Sequence, residues 1–150
     1  MKKVEPNVAR SLMASARAHT VAVTAQLALR GYEDFPFASA SMLWLMDENG
    51  TRSTVLAQRA GVTKQAMSQL VRLMERQGYL HQVSDPVDTR AKLVRMTTRG
   101  EAVKTACVEV REELNRKVAA ALGSKEASLL EANLDVIAHL FTETNGTNPR

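Results

Sequence analysis

Apolar residues recur at three- and four-residue steps along most of this chain, and they alternate singly only in one short, basic stretch. From residue 7 to about 30, Val8, Leu12, Ala16, Val23 and Leu27 form one stripe of a long amphipathic helix. Val103, Ala106, Val110, Leu114 and Val118 do the same over 99 to 121. A last helix is expected from Ser124, a suitable N-cap after Gly123, through Leu129, Leu130, Leu134, Ile137 and Leu140 to Phe141. Between these lies a connector with a short helix from about Phe37 to Met46, where Trp44 is expected to pack in the core, and then a turn at Asp47 to Gly50.

The middle of the chain predicts a close pair of short helices. Val55, Leu56 and Ala60 mark the first, and Ala66, Met67, Leu70, Val71 and Met74 mark the second. Thr51 or Ser53 can cap the first and Gly61 can close it; Thr63 can cap the second and Gly78 can end it. About three residues then join them, which is the spacing of a helix-turn-helix. Opposite the apolar stripe of the second helix stand Gln65, Ser68, Gln69, Arg72 and Arg76, with Thr63 and Lys64 at its start. These groups can read base edges in a major groove or bond phosphate. A polar helix face can equally be only solvated.

The alternating stretch follows at once. Leu80 and Gln82 alternate with Tyr79 and His81, and Val94 and Met96 with Leu93 and Arg95, while Ser84, Asp85 and Pro86 carry turn chemistry. Two short strands with a long tip, from about Ser84 to Lys92, are expected. Arg90 and Lys92 lie at that tip, and a protruding arginine suits a narrow minor groove. Charge favours this over a merely solvated loop. Residues 51 to 100 hold nine Lys or Arg against three acids, a net +6, whereas residues 1 to 50 balance and residues 101 to 150 carry −2. Such a concentration is the electrostatic footprint of a nucleic-acid binder.

Together these residues resemble the MarR family of winged helix-turn-helix transcription regulators. The resemblance is carried by Leu56 and Ala57, by Gly61, Val62 and Thr63 at the turn, and by Gly78 after the second helix. Asp85, Pro86, Asp88 and Arg90 in the wing, and Met96, Thr97 and Gly100 beyond it, complete the match. The resemblance implies a mainly α fold with a small β-hairpin wing, in which 35–100 form the DNA-binding lobe and 1–30 and 101–145 a helical dimerisation lobe of a single domain, 1–150. It also implies a homodimeric repressor on a pseudo-palindromic operator in double-stranded DNA. Release by a small aromatic or phenolic effector is a further family mode, and no residue is assigned to it. Two positions depart from the family pattern. Thr89 and Gln82 stand where the family often has arginine, so minor-groove contact rests on Arg90, helped by Lys92 on phosphate, with Asp88 orienting Arg90 or capping the tip.

Other function classes find less support. No glycine-rich phosphate loop, nucleophile elbow or His-Glu-x-x-His pair points to an enzyme, and no cofactor is called for. His19, His81 and His139 lie too far apart for a local metal motif, and the single cysteine, Cys107, reads as a small core residue. A winged-helix protein-interaction module or antirepressor is the alternative. At 150 residues, 45% hydrophobic and 4% aromatic, the chain can bury one core filled by Leu, Val, Ala and Met. With no membrane-length apolar run and no signal-like start, a cytoplasmic location is expected and no membrane partner.

Overall fold

The computed structural model describes residues 7–37 and 40–144, with side chains as far as 142. In chain order the elements are α1 (Val8–Ala28), α2 (Ser41–Trp44), β1 (Thr51–Arg52), α3 (Ser53–Ala60), α4 (Lys64–Arg76), β2 (Leu80–Ser84), β3 (Lys92–Met96), α5 (Thr98–Leu122) and α6 (Ser124–Thr144). Contacts divide the chain after Val110 into two units, and α5 runs through the boundary. The fold is mainly helical with a three-stranded antiparallel sheet in the order β1-β3-β2.

In the first unit the helix pair forms as its capping residues dictate. Gly61 ends α3 in the left-handed conformation, at φ +65°, and the Val62 N–H reaches back to the Ala57 carbonyl at 3.0 Å. Thr63 then caps α4, its hydroxyl accepting the Ala66 N–H at 3.1 Å. This brings Leu56 and Ala57 of α3 and Met67, Val71 and Met74 of α4 into one core, together with Met42, Leu43, Leu80, Val94, Val103 and Val110. Each fully buried side chain of this size contributes about 1.5 to 3 kcal/mol relative to exposure.

The start of α3 corrects the expectation from sequence. Neither Thr51 nor Ser53 caps the helix; the N-cap position is Arg52, with no side-chain cap bond, and Ser53 is the first helical residue. Thr51 is instead buried in β1, which pairs with β3 through Thr51↔Val94 and Arg52↔Leu93. Its hydroxyl accepts the Asp47 N–H at 2.7 Å and donates to Asp47 Oδ2 at 3.1 Å, closing the 47–50 turn. A polar side chain that satisfies a turn in this way can be buried in a strand.

The hairpin has the expected strands, with Leu80↔Met96 through Ser84↔Lys92 in register. Its root is fixed by Tyr79, which has no exposed surface. The Tyr79 ring meets Phe35 edge-on at 5.1 Å between centroids, and the Arg99 guanidinium lies 4.4 Å from its centre. Its hydroxyl donates to Asp34 Oδ1, which also accepts from Arg99 Nη2 at 2.9 Å. Burial first, then the Asp34 bond, raises the phenol pKa, so the group stays a donor. On the main chain, the Tyr79 carbonyl accepts the Thr97 N–H at 3.0 Å and abuts Gly100, where an added Cβ would lie 2.1 Å from that oxygen.

The connector helix is shorter than the expected Phe37–Met46 span. It covers only Ser41–Trp44, and residues 38 and 39 lie outside the described residues. Met42 and Leu43 are buried, but Trp44 is 47% exposed, with the Lys104 ammonium 5.1 Å from its ring centre. The expectation that Trp44 packs in the core is therefore corrected: one turn of helix can bury only part of a continuous apolar run. Cys107 is buried as expected, and burial raises its thiol pKa.

In the second unit, the end of α5 is joined to α6 at Gly123, whose φ is +92°. Between them runs a groove of about 530 Å³, lined by Val118, Ala119, Ala127, Leu130 and Leu134 with polar residues at its edges. Leu129, Leu134 and Val136 of α6 are exposed. No described helix is long and apolar enough to cross a membrane.

Two outcomes are expected from this packing. Gly100→Ala forces methyl against backbone and should lower stability by about 1 to 3 kcal/mol, read as a lower urea midpoint at unchanged m-value. An unchanged midpoint would refute the close approach. Cys107 should react with a thiol reagent at neutral pH about tenfold or more slowly in the native chain than in denaturant; equal rates would show that the thiol is accessible.

Candidate nucleic-acid interface

The polar face of α4 is presented to solvent because its opposite face is used up in the core. Lys64, Gln65, Gln69, Arg72 and Arg76 are exposed, Thr63 is exposed while serving as the cap, and Ser68 is half-buried. Ser68 and Arg72 line a cleft of about 180 Å³ with Ser53, Val71 and Gln82. The first turns of α3 and α4 contain no acid, and Lys64 occupies the first position of α4. A cation there opposes the helix dipole, an arrangement that suits an anion from outside rather than the helix itself. Gln82 Nε2 donates to Glu75 Oε2 at 3.1 Å, which draws it toward α4.

The wing tip is closed by its own main chain. The Asp85 N–H donates to the Ala91 carbonyl at 3.0 Å and the Ala91 N–H to the Asp88 carbonyl at 2.8 Å. Asp85 Oδ1 accepts the Val87 N–H at 2.9 Å, and Asp88 Oδ1 accepts the Arg90 N–H at 3.2 Å. Asp88 thus caps the tip, and the contact with Arg90 is through the backbone. The cation held by the wing carboxylates is Arg52: its Nε and Nη2 donate to Asp85 Oδ2 at 2.8 and 2.6 Å, and Nη2 lies 3.6 Å from Asp88 Oδ2. The Val87 N–H first, then Arg52, hold the Asp85 carboxyl below the usual carboxylate range.

The nine cations of residues 51 to 100 divide into two groups. Four are engaged inside the fold. Arg52 holds Asp85; Arg59 bonds Asp47 at 2.8 Å and the Leu45 carbonyl at 2.6 Å; Arg95 bonds the Asn49 carbonyl at 2.9 Å; and Arg99 bonds Asp34 and the Gln77 carbonyl. The other five are Lys64, Arg72, Arg76, Arg90 and Lys92. All five are exposed, and none has a side-chain partner among the described residues.

Sequence reasoning placed these five in the site and missed the supporting residues Arg52, Asp34 and Arg99. Their partners lie 33 residues away for Arg52 and 65 for the Asp34–Arg99 pair, so no local spacing announces them. No group of three or more His, Cys, Asp or Glu suited to a metal occurs among the described residues.

Comparison with known proteins places this geometry. Residues 33–91 match the family described as "MarR family". The transcriptional regulator HosA of Escherichia coli O111:H- is 26% identical over 90 residues, covering 60% of this chain and 67% of that protein. The crystal structure of transcriptional regulator Tm0710 from Thermotoga maritima is 26% identical, covers 93% of this chain and 96% of that one, and superposes with a TM-score of 0.59. A variant of S. aureus MepR bound to an oligodeoxyribonucleotide shares the fold, with 19% identity, coverage of 91% and 99%, and a TM-score of 0.60. Residues 33–91 thus carry the match to the MarR family, and the chain has the winged-helix fold of these transcription regulators.

Proposed function

We propose that this chain is a sequence-specific regulator that binds double-stranded DNA as a homodimer, most simply as a repressor occluding a promoter. The observation that carries the proposal is the division of the cations. Five exposed, unengaged cations lie on α4 and the wing, beside Gln65, Ser68 and Gln69. In this reading α4 enters a major groove, where Gln65, Ser68, Gln69 and Arg72 meet base edges, and Thr63, Lys64 and Arg76 lie at its margins on phosphate. Arg90 enters the flanking minor groove, with Lys92 on phosphate.

Dimerisation draws support from apolar side chains left on the surface. Met13 and Val21 on α1 are exposed, as are Leu129, Leu134 and Val136 on α6. A second copy related by a two-fold axis buries such surfaces and brings two α4 helices to a pseudo-palindromic operator. The bound oligodeoxyribonucleotide of the MepR variant supports the nucleic-acid partner, and a MepR structure with ethidium bromide supports a small aromatic effector. An effector of that kind releases DNA only if it prefers the DNA-incompetent state, since equal affinity for both states shifts no equilibrium.

Salt titration of binding tests the assignment of the cations. Each neutralised phosphate contributes about −0.9 to the slope of log K against log salt, so Lys64, Arg76 and Lys92 of both subunits give a slope of roughly −5 before any contribution from Arg90. A salt-insensitive complex with a protein, and no affinity for duplex, would favour an interaction module instead. Gln69→Ala should relax base preference at one position per half-site by about 1 to 3 kcal/mol, whereas Arg90→Ala should weaken all duplexes more evenly and flatten the salt slope. If both variants bind like the parent, these roles are wrong. Moving the half-sites apart by about five base pairs, half a helical turn, should abolish tight binding; indifference to the spacing would rule out the two-fold reader.

A further inference from the structure

We propose that Arg52 is a positioning residue of the DNA interface: by engaging both wing carboxylates it keeps the Arg90 guanidinium free for the minor groove. The inference rests on the DNA-binding reading above. Two acids, Asp85 and Asp88, lie within five residues of Arg90 in the wing. Left unengaged, each would compete with DNA for the Arg90 guanidinium and would also repel phosphate. Neither is left so. Asp85 Oδ2 accepts from two nitrogens of Arg52 at 2.8 and 2.6 Å, and Asp85 Oδ1 accepts the Val87 N–H. Asp88 Oδ1 accepts the Arg90 N–H, and Asp88 Oδ2 faces Arg52 at 3.6 Å. Three of the four carboxylate oxygens accept hydrogen bonds from donors other than the Arg90 side chain, and the fourth, Asp88 Oδ2, faces the Arg52 guanidinium at ion-pair distance.

The position of Arg52 in the fold adds a mechanical consequence. Arg52 belongs to β1, pairs with Leu93 of β3 and is the N-cap residue of α3. Its side chain therefore ties the wing tip to the start of the helix pair rather than to the hairpin alone. The planar fork of arginine, meeting Asp85 through Nε and Nη2, sets a direction that a lysine ammonium cannot set. Asp85 is buried while Arg52 is 40% exposed, so the pair steadies the fold as well as fixing where the tip stands.

A competing account makes Arg52, whose side chain is 40% exposed, a phosphate contact in its own right. The two accounts predict opposite signs for Asp85→Asn. Removing a negative charge near a polyanion should tighten binding if only charge matters. If Arg52 positions the wing, the same substitution should weaken it.

The test uses the full chain and a duplex that the parent selects from a random pool, with affinities measured for Asp85→Asn, Arg52→Lys, Arg90→Ala and the Asp85→Asn/Arg90→Ala pair. Asp85→Asn and Arg52→Lys are each expected to lose about tenfold in affinity, the scale of one charged hydrogen bond, although neither makes the surface more negative. The double variant should bind no more weakly than Arg90→Ala alone, because both changes act through one guanidinium. The salt slope of Asp85→Asn should flatten to that of Arg90→Ala, which a general loss of stability would not produce. If Asp85→Asn does not fold, Arg52→Lys decides by the same two readouts. Binding by Asp85→Asn equal to or tighter than the parent, or losses that add in the double variant, would overturn the inference while leaving the DNA reading intact. A parent chain that selects no duplex would overturn both.

Discussion

A two-stranded hairpin is marginal alone in water, so everything the wing carries depends on how its root is held. Here the root is Tyr79, placed between Phe35 and the Arg99 guanidinium, bonded through its hydroxyl to Asp34 and through its carbonyl to Thr97. Because Gly100 lets the first turn of α5 come against that carbonyl, the strand leaving α4 and the helix after β3 meet at one point. Direction is thereby set at the base of the wing, and Arg52 sets it again at the tip. Between these two fixings lie only the five-residue strands β2 and β3, whose inward Leu80 and Val94 join the core of the helix pair.

How much of this could be read from the residues depends on the range of each signal. Helical periodicity is local, so the long helices, the α3–α4 pair and both wing strands stand close to where the pattern puts them. β1 has two residues and hence no period, and Thr51 reads as a cap until its partner strand, more than forty residues on, is in place. Trp44 misleads for a related reason. It sits in an unbroken apolar run, which does not say which member faces outward, and in the short α2 the buried places go to Met42 and Leu43.

The α4 face was legible because a helix converts three- and four-residue spacing directly into a surface. The wing was only partly legible. Asp88 and Arg90 invite pairing by proximity, yet Asp88 accepts the Arg90 backbone N–H, and the guanidinium held by the wing acids comes from Arg52. Sequence distance hides such a pair, since Arg52 and the wing acids are brought together by the pairing of β1 with β3.

The same point bears on charge. A net +6 over residues 51 to 100 suggests a broad basic surface, but Arg52, Arg59, Arg95 and Arg99 are engaged by carboxylates and carbonyls inside the fold. These four anchor the wing tip, the 47–50 turn and the wing root. The remaining cations of residues 51 to 100 lie on α4 and the wing, so the unengaged positive charge of this segment sits on elements that the rest of the domain holds in place. Arginines that build a fold and arginines that meet a ligand are chemically identical; what separates them is whether a buried or half-buried oxygen has already taken the fork. That oxygen belongs to the three-dimensional structure, and so the basic patch becomes a directed one only when the engaged cations are subtracted.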